Sequence, residues 1–397
     1  MRRGWPRLSK RRPRRSPAAG EGMRVAIDAM GGDHAPDATV AGAVLAAREL
    51  GARVWLVGHQ DVLRARLERH AAEHLSIVLH HAPDVIGMDE PPVAAVRRKP
   101  RCSLRVTLDL LREGTVDAVV SAGNSGAVLA GALFTIGPLP GVDRPAIAVP
   151  MPAEHGHVIL VDAGASVDAD AMHLVQFAVM GETYARALRG QARPRVALLS
   201  NGQEAGKGTE TTRAASRLLR TLPINFIGYV EGRDLAQDVA DVVVCDGFVG
   251  NAVLKAVEGF GVTASRLLRE AFRRTWRGRL AYLLARDALS QFRERMDYAE
   301  YGGAPLLGID GVAIVAHGSS GPVAIRNAIR VAHDSARLGV NAELADALRA
   351  LPPQESAASE RRRRLWEQLR GRLAARRDGR DASATGPSHR EDPAPRR

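Results

Sequence analysis

The sequence predicts an α/β protein with a doubly wound, Rossmann-like three-layer arrangement of helices around one sheet. Short β-branched runs alternate with helical stretches over about 330 residues, the order that builds such folds. Several of the runs are continuously apolar, which is typical of strands buried on both faces of a sheet. No internal repeat of fixed period is present.

The predicted strands are short runs rich in Val, Ile and Leu, each bounded by polar or glycine residues. They are 24–29, 53–58, 74–80, 116–123, 146–152, 157–164, 195–200, 224–230, 241–247 and 311–318. The intervening stretches carry apolar residues at helical spacing. The predicted helices are 36–51, 61–73, 101–113, 125–136, 170–189, 209–221, 249–275 and 320–337.

The net charge of +12 would suggest nucleic-acid binding if it were spread over the folded body. Residues 1–22 hold eight basic and one acidic side chain, and residues 352–397 hold twelve basic and seven acidic. The body, residues 23–351, carries 36 of each sign and is neutral. We therefore expect one α/β domain over 23–351, disordered basic extensions on both sides, and no nucleic-acid partner.

Two cysteines, Cys102 and Cys245, are too few for a disulfide framework and form no Cys/His cluster. They are read as small apolar fillers in a reducing, cytosolic setting. No stretch approaches 18 unbroken apolar residues, so no membrane-spanning helix is expected. Residues 2–22 lack an apolar central region and do not form a secretory signal.

Glycine-rich turns follow four of the predicted strands, each before a helix, and we expect all four to lie at one edge of the sheet. Glycines allow backbone N–H groups to approach a ligand, and a helix N-terminus favours an anion. Together they predict a phosphate or carboxylate site, although any one such turn is commonly structural. Their chemistry-bearing residues are Gly123, Asn124, Ser125 and Gly126; Lys207; Asp246, Gly250 and Asn251; and His317 and Ser319.

Lysine usage singles out two of these turns. Only four of the 56 basic residues are lysine, namely Lys10, Lys99, Lys207 and Lys255. Lysine offers a compact point charge that the planar arginine fork does not reproduce, so Lys207 and Lys255 are candidates for anion binding. Lys99 lies in a basic run, where a solvated surface role is nearly as plausible as a functional one.

Two further features surround these lysines. Asn251 and Lys255 are four residues apart and project from one face of a helix, and Asp246 ends the strand before it. The turn between the first strand and helix holds two acids, a histidine and a glycine pair. The spacing of the acids and the histidine matches no known metal-ligand pattern, so a ligand-facing loop is favoured over a metal site. The residues of that turn are Asp28, Gly31, Gly32, Asp33 and His34.

One motif is discarded as a nucleotide site. Residues 259–264 match the dinucleotide fingerprint GxGxxA, but they follow a predicted helix instead of a strand. A nicotinamide cofactor site at this motif is therefore disfavoured.

Read together, the turns resemble the acyl-ACP:phosphate acyltransferase family, known as PlsX. The resemblance covers 24–340 in order, and its most specific segments are IDAMGGDHAP (27–36) and CDGFVGNAVLK (245–255). Further matching segments are VSAGNSGAVLAG (120–131), RPAIAVPMP (144–152), VDAGASVDAD (161–170), EAGKGTE (204–210), NFIGYVEGRD (225–234) and GGAPLLGIDGVAIVAHGSS (302–320).

The resemblance implies a fold like that of isocitrate and isopropylmalate dehydrogenases, a homodimer, and no metal or organic cofactor. It implies transfer of a fatty acyl group from acyl carrier protein to inorganic phosphate, giving acyl phosphate for phospholipid synthesis. The protein would then work in the cytoplasm, peripherally associated with the inner face of the plasma membrane, and a glycerol-3-phosphate acyltransferase could use its product. A phosphate-dependent acetyltransferase or a dehydrogenase of similar architecture, and a non-catalytic membrane scaffold, remain alternatives.

The residue types fit acyl transfer to phosphate. Phosphate is anionic, and the attacked thioester carbonyl becomes an oxyanion, so lysine side chains, amides and helix N-termini can stabilise both. The predicted catalytic residues are Lys207, Asp246, Asn251, Lys255 and His317. His317 could move a proton or simply cap its turn, and the residues leave both roles open.

Residues 276–296 predict a helix at a membrane surface. Trp276, Leu280, Leu283 and Leu284 share one helical face, which Phe292 and Met296 extend, and six arginines between 273 and 293 flank it. An ordinary dimer interface is the alternative for the same apolar face.

Overall fold

The computed structural model describes residues 23–287, Leu289 and residues 302–351. The extensions predicted for residues 1–22 and 352–397 lie outside the described residues. All described strands join one sheet, in the order β3-β2-β1-β4-β11-β10-β5-β6-β9-β7-β8. In chain order they are β1 (Arg24–Asp28), β2 (Arg53–Gly58), β3 (Ile77–His81), β4 (Ala118–Ser121), β5 (Ala146–Ala153), β6 (Gly156–Val161), β7 (Val196–Leu199), β8 (Phe226–Val230), β9 (Val242–Val244), β10 (Ala304–Leu307) and β11 (Val312–Val315).

Helices cover both faces of the sheet, as the predicted three-layer α/β class requires. They are α1 (Asp37–Leu50), α2 (Gln60–Leu67), α3 (Pro92–Arg98), α4 (Ser103–Arg112), α5 (Ser125–Thr135), α6 (Ala171–Arg189), α7 (Glu210–Leu219), α8 (Gly247–Arg273), α9 (Trp276–Leu284), α10 (Pro322–Arg337) and α11 (Val340–Arg349). Short 3₁₀ turns occupy Glu68–His70 and Gly232–Ala236.

Alternation along β1 shows why its apolar run suits a central strand. Val25 and Ile27 pack with buried residues of α1 and α10 on one face, whereas Ala26 packs with those of α4 and α5 on the other. All three side chains are fully buried. Successive side chains of a strand point to opposite faces, so a strand between two helix layers must be apolar at every position.

The sheet is mixed, and its two halves run in opposite directions. β1, β2, β3, β4 and β11 are mutually parallel, and so are β6, β7, β8 and β9. Between these groups, β10 is antiparallel to both β11 and β5, and β5 is antiparallel to β6. The turns after β4 and β11 therefore follow strands that run opposite to β7 and β9. The expectation that all four glycine-rich turns lie at one sheet edge is wrong.

Some short elements were not predicted. β10 has four residues, includes Pro305 and directly follows a glycine pair, so it carries neither the length nor the composition of a typical strand. It nevertheless occupies a central position between β11 and β5. Helix α3 was not among the predicted helices, although its last two residues belong to the basic run around Lys99, and α11 lies beyond the last predicted helix.

Candidate active site

The turn after β1 is organised by a buried carboxylate. Ser121 donates its hydroxyl to Asp28 Oδ2 at 2.8 Å, and the same hydroxyl oxygen accepts the Gly123 N–H at 3.1 Å. Burial raises the pKa of Asp28, while the hydrogen bonds that it accepts act in the opposite direction. Gly31 packs so tightly here that a Cβ would lie 2.6 Å from Asp28 Oδ2. Asp28 thus ties the turns after β1 and β4 together from inside the protein.

The turn after β11 completes this first cluster. Asp33 donates its backbone N–H to the Gly318 carbonyl at 2.8 Å. Gly32 has a φ of 108°, in the region that favours glycine, and a Cβ there would lie 3.1 Å from the same carbonyl oxygen. The turns after β1, β4 and β11 are therefore in direct contact, which brings Gly32, Asp33 and Gly318 beside Gly123.

Asn124 begins helix α5, and its amide is engaged within the protein. Its Oδ1 accepts the Ala127 N–H at 3.1 Å, as an N-cap residue does. Its Nδ2 donates to the Met88 carbonyl at 2.7 Å and is 3.3 Å from the Glu90 carbonyl. Ser125 is exposed at the first position of the helix, and Gly126 packs against Pro92. Asn124, predicted as a ligand residue, therefore attaches residues 88–90 to the turn after β4.

A second buried carboxylate organises the other half of the site, and sequence reasoning missed it. Asp162 Oδ1 accepts backbone N–H groups of Ile147, Gly164 and Ala165 at 2.8–3.1 Å, and its Oδ2 accepts that of Ser166 at 2.6 Å. Burial raises the pKa of Asp162, and these four hydrogen bonds oppose the rise. The sequence signals were an acid that directly follows a fully apolar strand and the place of this acid in the family-like segment VDAGASVDAD (161–170).

Helix α8 begins against this second loop. Asp246 is its N-cap and accepts the Val249 N–H at 2.9 Å. Only Gly247 and Gly250 of this 27-residue helix are buried. A Cβ at Gly250 would overlap the carbonyl oxygen of Asp162, so glycine is required for the helix to approach so closely. Asp246 and Gly250 set the position of α8 and of the side chains that it carries.

Two of those side chains reach other turns. Asn251 lies next to Gly164, whose Cβ position would be 3.6 Å from the Asn251 Cβ. Lys255 Nζ is 3.4 Å from His317 Nε2 and 2.9 Å from Glu258 Oε2. Helix α8 thus carries a lysine from the second half of the sheet to the turn after β11 in the first half.

His317 is held on its other side by its own turn. Its Nδ1 is 2.8 Å from Ser319 Oγ and 3.2 Å from the Ser319 backbone nitrogen. Its Nε2 lies 4.0 Å from Glu258 Oε2, a residue that sequence analysis did not select. The imidazole therefore lies between a hydroxyl on one side and a lysine–glutamate pair on the other, a setting in which it can exchange protons.

Lys207 lies in the turn after β7. Asn201 closes this turn by accepting the Gly208 N–H at 2.9 Å. The Lys207 side chain is exposed and packs with its Cγ beside Gly202. Within the described part of the chain, no hydrogen bond or ion pair engages its Nζ, whereas Lys99 and Lys255 are each paired with a glutamate. Among the described body lysines, the ammonium group of Lys207 would thus face an anion without a competing carboxylate.

The described residues form neither a metal site nor a dinucleotide-binding turn between a strand and a helix. Among residues 23–287 and 302–351, no group of three His, Cys, Asp or Glu residues could hold a metal ion. The GxGxxA motif at 259–264 lies inside helix α8, away from any strand-to-helix turn. Both cysteines are buried and free, as expected.

The apolar face predicted in residues 276–296 is exposed in its described part. Helix α9 forms a pair with α8, and Phe272 and Tyr282 meet edge to face with ring centroids 5.7 Å apart. Trp276 is 70 % exposed and Leu284 80 % exposed. Phe292 and Met296 lie outside the described residues. No helix in the described part of the chain is long and apolar enough to span a membrane.

Several known proteins with similar sequences carry the name phosphate acyltransferase. A family model described as "Fatty acid synthesis protein" matches residues 23–343. Phosphate acyltransferase from Geobacter sulfurreducens is 51% identical over 324 residues, covering 82% of this chain and 94% of the relative. Phosphate acyltransferase from Pelotomaculum thermopropionicum is 50% identical over 313 residues, covering 79% and 91%.

Solved structures support the fold. The EutD phosphotransacetylase of Staphylococcus aureus superposes with a TM-score of 0.51 at 15% identity, covering 80% of this chain and 95% of that one. A branched-chain phosphotransacylase from Enterococcus faecalis has a TM-score of 0.50 at 13% identity, covering 79% and 99%. At these identities the likeness concerns the α/β architecture alone. The sequence relatives decide the family: this chain is an acyltransferase and belongs to the phosphate acyltransferase (PlsX) family.

Proposed function

We propose that this acyltransferase moves a fatty acyl group from acyl carrier protein to inorganic phosphate and thereby makes an acyl phosphate for phospholipid synthesis. The observation that carries the proposal is the distance of 3.4 Å between Lys255 Nζ and His317 Nε2. Lys255 lies on the same face of α8 as Asn251. A cation, an imidazole and an amide are groups that bind phosphate, stabilise an oxyanion and move a proton.

In this reaction a phosphate oxygen attacks the carbonyl carbon of the thioester. The carbonyl becomes a tetrahedral oxyanion, the C–S bond then breaks, and the carrier thiolate takes up a proton. We assign phosphate and oxyanion stabilisation to Lys207, Asn251 and Lys255, and proton exchange to His317. Asp246 acts by fixing the start of α8, since its carboxylate caps the helix.

The remaining predicted residues shape the substrate pocket in this proposal. Backbone N–H groups of glycine turns at helix N-termini can approach an anion closely. Asp28 contributes by tying the turns together, because its carboxylate is buried. The residues assigned to phosphate and substrate binding are Asp28, Gly31, Gly32, Asp33, Gly123, Asn124, Ser125, Gly126, Gly250 and Ser319.

Direct attack by phosphate, without an acyl-enzyme intermediate on sulfur, is favoured by the state of the two thiols. Burial raises the pKa of Cys102, and burial together with the nearby Asp246 and Asp162 carboxylates raises the pKa of Cys245 well above its ordinary value. The thiolate is the nucleophilic form of cysteine, so burial disfavours the reactive form of both thiols.

We further propose that the protein is a homodimer that binds the inner face of the plasma membrane from the cytoplasm through residues 276–296. The support is the α8–α9 pair, which leaves Phe260, Val262, Trp276 and Leu284 largely exposed in one chain. Such apolar area is normally covered by a partner or a lipid surface. A membrane-bound glycerol-3-phosphate acyltransferase would be the consumer of an acyl phosphate released there.

A single-turnover experiment tests the reaction. The full chain is mixed in excess with acyl carrier protein bearing a ¹⁴C-labelled acyl group, with and without inorganic phosphate and without added metal. We expect acyl phosphate and free carrier thiol to appear in equal amounts, and only with phosphate. Thiol release without phosphate would show a thioesterase. Turnover that EDTA abolishes and a divalent metal restores would contradict the expected metal-free reaction.

A further inference from the structure

The segment between β3 and α3 reaches the candidate active site without regular structure of its own. Residues 82–91 have neither helix nor paired strand beyond an isolated bridge between Asp84 and Cys102. Such a segment needs side-chain contacts to hold one conformation. Asn124 supplies some of those contacts, and others come from Lys99, the body lysine to which the proposed reaction gives no role.

Lys99 clamps this segment from the end of α3. Its Nζ donates to the Val85 carbonyl at 2.7 Å and to Glu90 Oε1 at 2.5 Å. Glu90 Oε1 in turn accepts the Gly87 N–H at 2.7 Å. The Lys99 ammonium group thus links Val85 to Glu90, and the hydrogen bond from Gly87 to Glu90 holds the residues between them. The Lys99 and Glu90 side chains are only about one-third exposed, at 33% and 28%.

The clamped segment touches two turns of the active site. The carbonyl oxygens of Met88 and Glu90 receive the Asn124 amide at 2.7 and 3.3 Å, directly at the turn after β4. The Met88 methyl carbon lies over Gly318, 2.8 Å from where a Cβ of that glycine would stand. Gly318 is the residue next to His317, so Met88 packs against the turn that carries His317.

We propose that Lys99 is a positioning residue for acyl transfer: by clamping residues 85–90 it holds Met88 over Gly318 and thereby keeps His317 aligned. This assignment rests on the proposed function, because it gives the alignment a reaction to serve. The Lys99–Glu90 pair is partly exposed, so its contribution to stability is modest. The expected effect is therefore on the turnover rate, since small misplacements of reacting groups lower rates steeply.

The first experiment measures geometry without substrate. The full chain is prepared with ¹³C-methyl methionine, the Met88 methyl resonance is assigned with Met88→Ala, and its shift is compared in wild type and Lys99→Leu. We expect this resonance to shift in Lys99→Leu, because the Met88 methyl group would leave its contact with Gly318. The control Arg101→Leu removes an exposed charge two residues away and should leave it unchanged. An unmoved Met88 resonance in Lys99→Leu would overturn the clamp.

The second experiment links the clamp to turnover through a double-mutant cycle. Lys99→Leu is expected to lower kcat roughly tenfold with KM for phosphate and the melting temperature nearly unchanged. In a Met88→Ala background, Lys99→Leu should lower kcat by less than about twofold, because the Met88 side chain that connects the clamp to the His317 turn is absent. Equal losses in both backgrounds would overturn the role of Met88. If the wild type makes no acyl phosphate, the proposed function fails, while the methyl resonance still decides whether the clamp exists.

Discussion

Lys255 and His317 lie 62 residues apart in the chain, yet Lys255 Nζ is 3.4 Å from His317 Nε2. Lys255 is carried by α8 after β9, and His317 follows β11 in the half of the sheet that runs the other way. The contact therefore depends on the position of α8, which Gly250 and the Asp162 loop determine.

His317→Asn removes the imidazole but retains an amide that can still bond to Ser319. If His317 exchanges the proton, kcat should fall by about 10²–10⁴-fold in the acyl phosphate assay. His155→Asn, in an exposed turn between β5 and β6, is the matched control and should keep wild-type turnover. Turnover within twofold of wild type in His317→Asn would return this residue to a turn-capping role.

Lys207→Ala removes a lysine charge that forms no ion pair with a described residue. We expect a loss on the order of 10²–10³ in kcat/KM with little change in melting temperature, since anion stabilisation is lost but no internal contact is. Lys207→Arg should also be impaired, because a planar fork does not reproduce a compact ammonium. Arg217→Ala, at an exposed position of helix α7, is the control, and equal activity in all three variants would contradict the assignment.

Gly250→Ala places a methyl group against the carbonyl oxygen of Asp162. The helix must then shift, so we expect a loss of about 2–3 kcal/mol in the free energy of unfolding and a lower kcat through displaced Asn251 and Lys255. Gly259→Ala is the matched control on the same helix, since nothing lies within 4 Å of its Cβ position. It should be neutral or stabilising by up to about 1 kcal/mol in denaturant titration. An unaltered Gly250→Ala protein would show that α8 tolerates displacement.

Asp241 is expected to make the stability of the fold sensitive to acid. Burial alone raises the pKa of Asp241, but the hydrogen bonds and charge of Arg195, with the charge of Arg189, outweigh it and leave the pKa below its ordinary value. The carboxylate therefore stabilises the fold above about pH 4, and this contribution is lost as the pH falls through the lowered pKa of the folded state.

Asp241→Asn should remove that contribution at neutral pH, at a cost of roughly 2 kcal/mol in the free energy of unfolding. Near pH 3 the difference from wild type should shrink, as urea titrations at both pH values would measure. Asp238→Asn changes the same charge at a more exposed partner of Arg195 and should cost less than about 0.5 kcal/mol. A constant difference between Asp241→Asn and wild type over this pH range would contradict the linkage.

Leu283→Glu combined with Leu284→Glu tests the membrane assignment. We expect wild type to sediment with anionic vesicles in a salt-dependent manner and the double variant to remain in the supernatant as a dimer. Val62→Glu with Val93→Glu adds the same charge on exposed helices of the body and should not reduce sedimentation. A double variant that still sediments would exclude this segment as the anchor, and one that becomes monomeric would show that the face belongs to the dimer interface.

The sequence was informative about the fold wherever a residue's role followed from its neighbours in the chain. Continuous apolar runs predicted β1 and β9 because both faces of those strands are buried, and glycine turns predicted where helices α5 and α8 begin. β10 was missed because four residues with a proline show no period, and its pairing with β5 and β11 comes from distant segments.

The candidate site was predictable in its residue types but not in its arrangement. Lys207 stood out because lysine is rare in this chain, and Asn251 and Lys255 because their spacing places them on one helical face. Asp162 and Glu258 were missed since an acid after a strand, or within a helix, is common. Their importance comes from backbone N–H groups and a histidine that the fold brings from elsewhere.

The position of β11 beside β4 also constrains how the chain can fold during synthesis. Ala118 pairs with Val312, a separation of about 200 residues, and all strands from β5 to β9 are made between them. Until β11 is available, the edge of β4 is an unpaired, apolar strand, the kind of edge that promotes aggregation. The first half of the sheet therefore cannot close early as an independent unit. A nascent chain of this protein should depend on protection by chaperones until nearly the whole domain has left the ribosome.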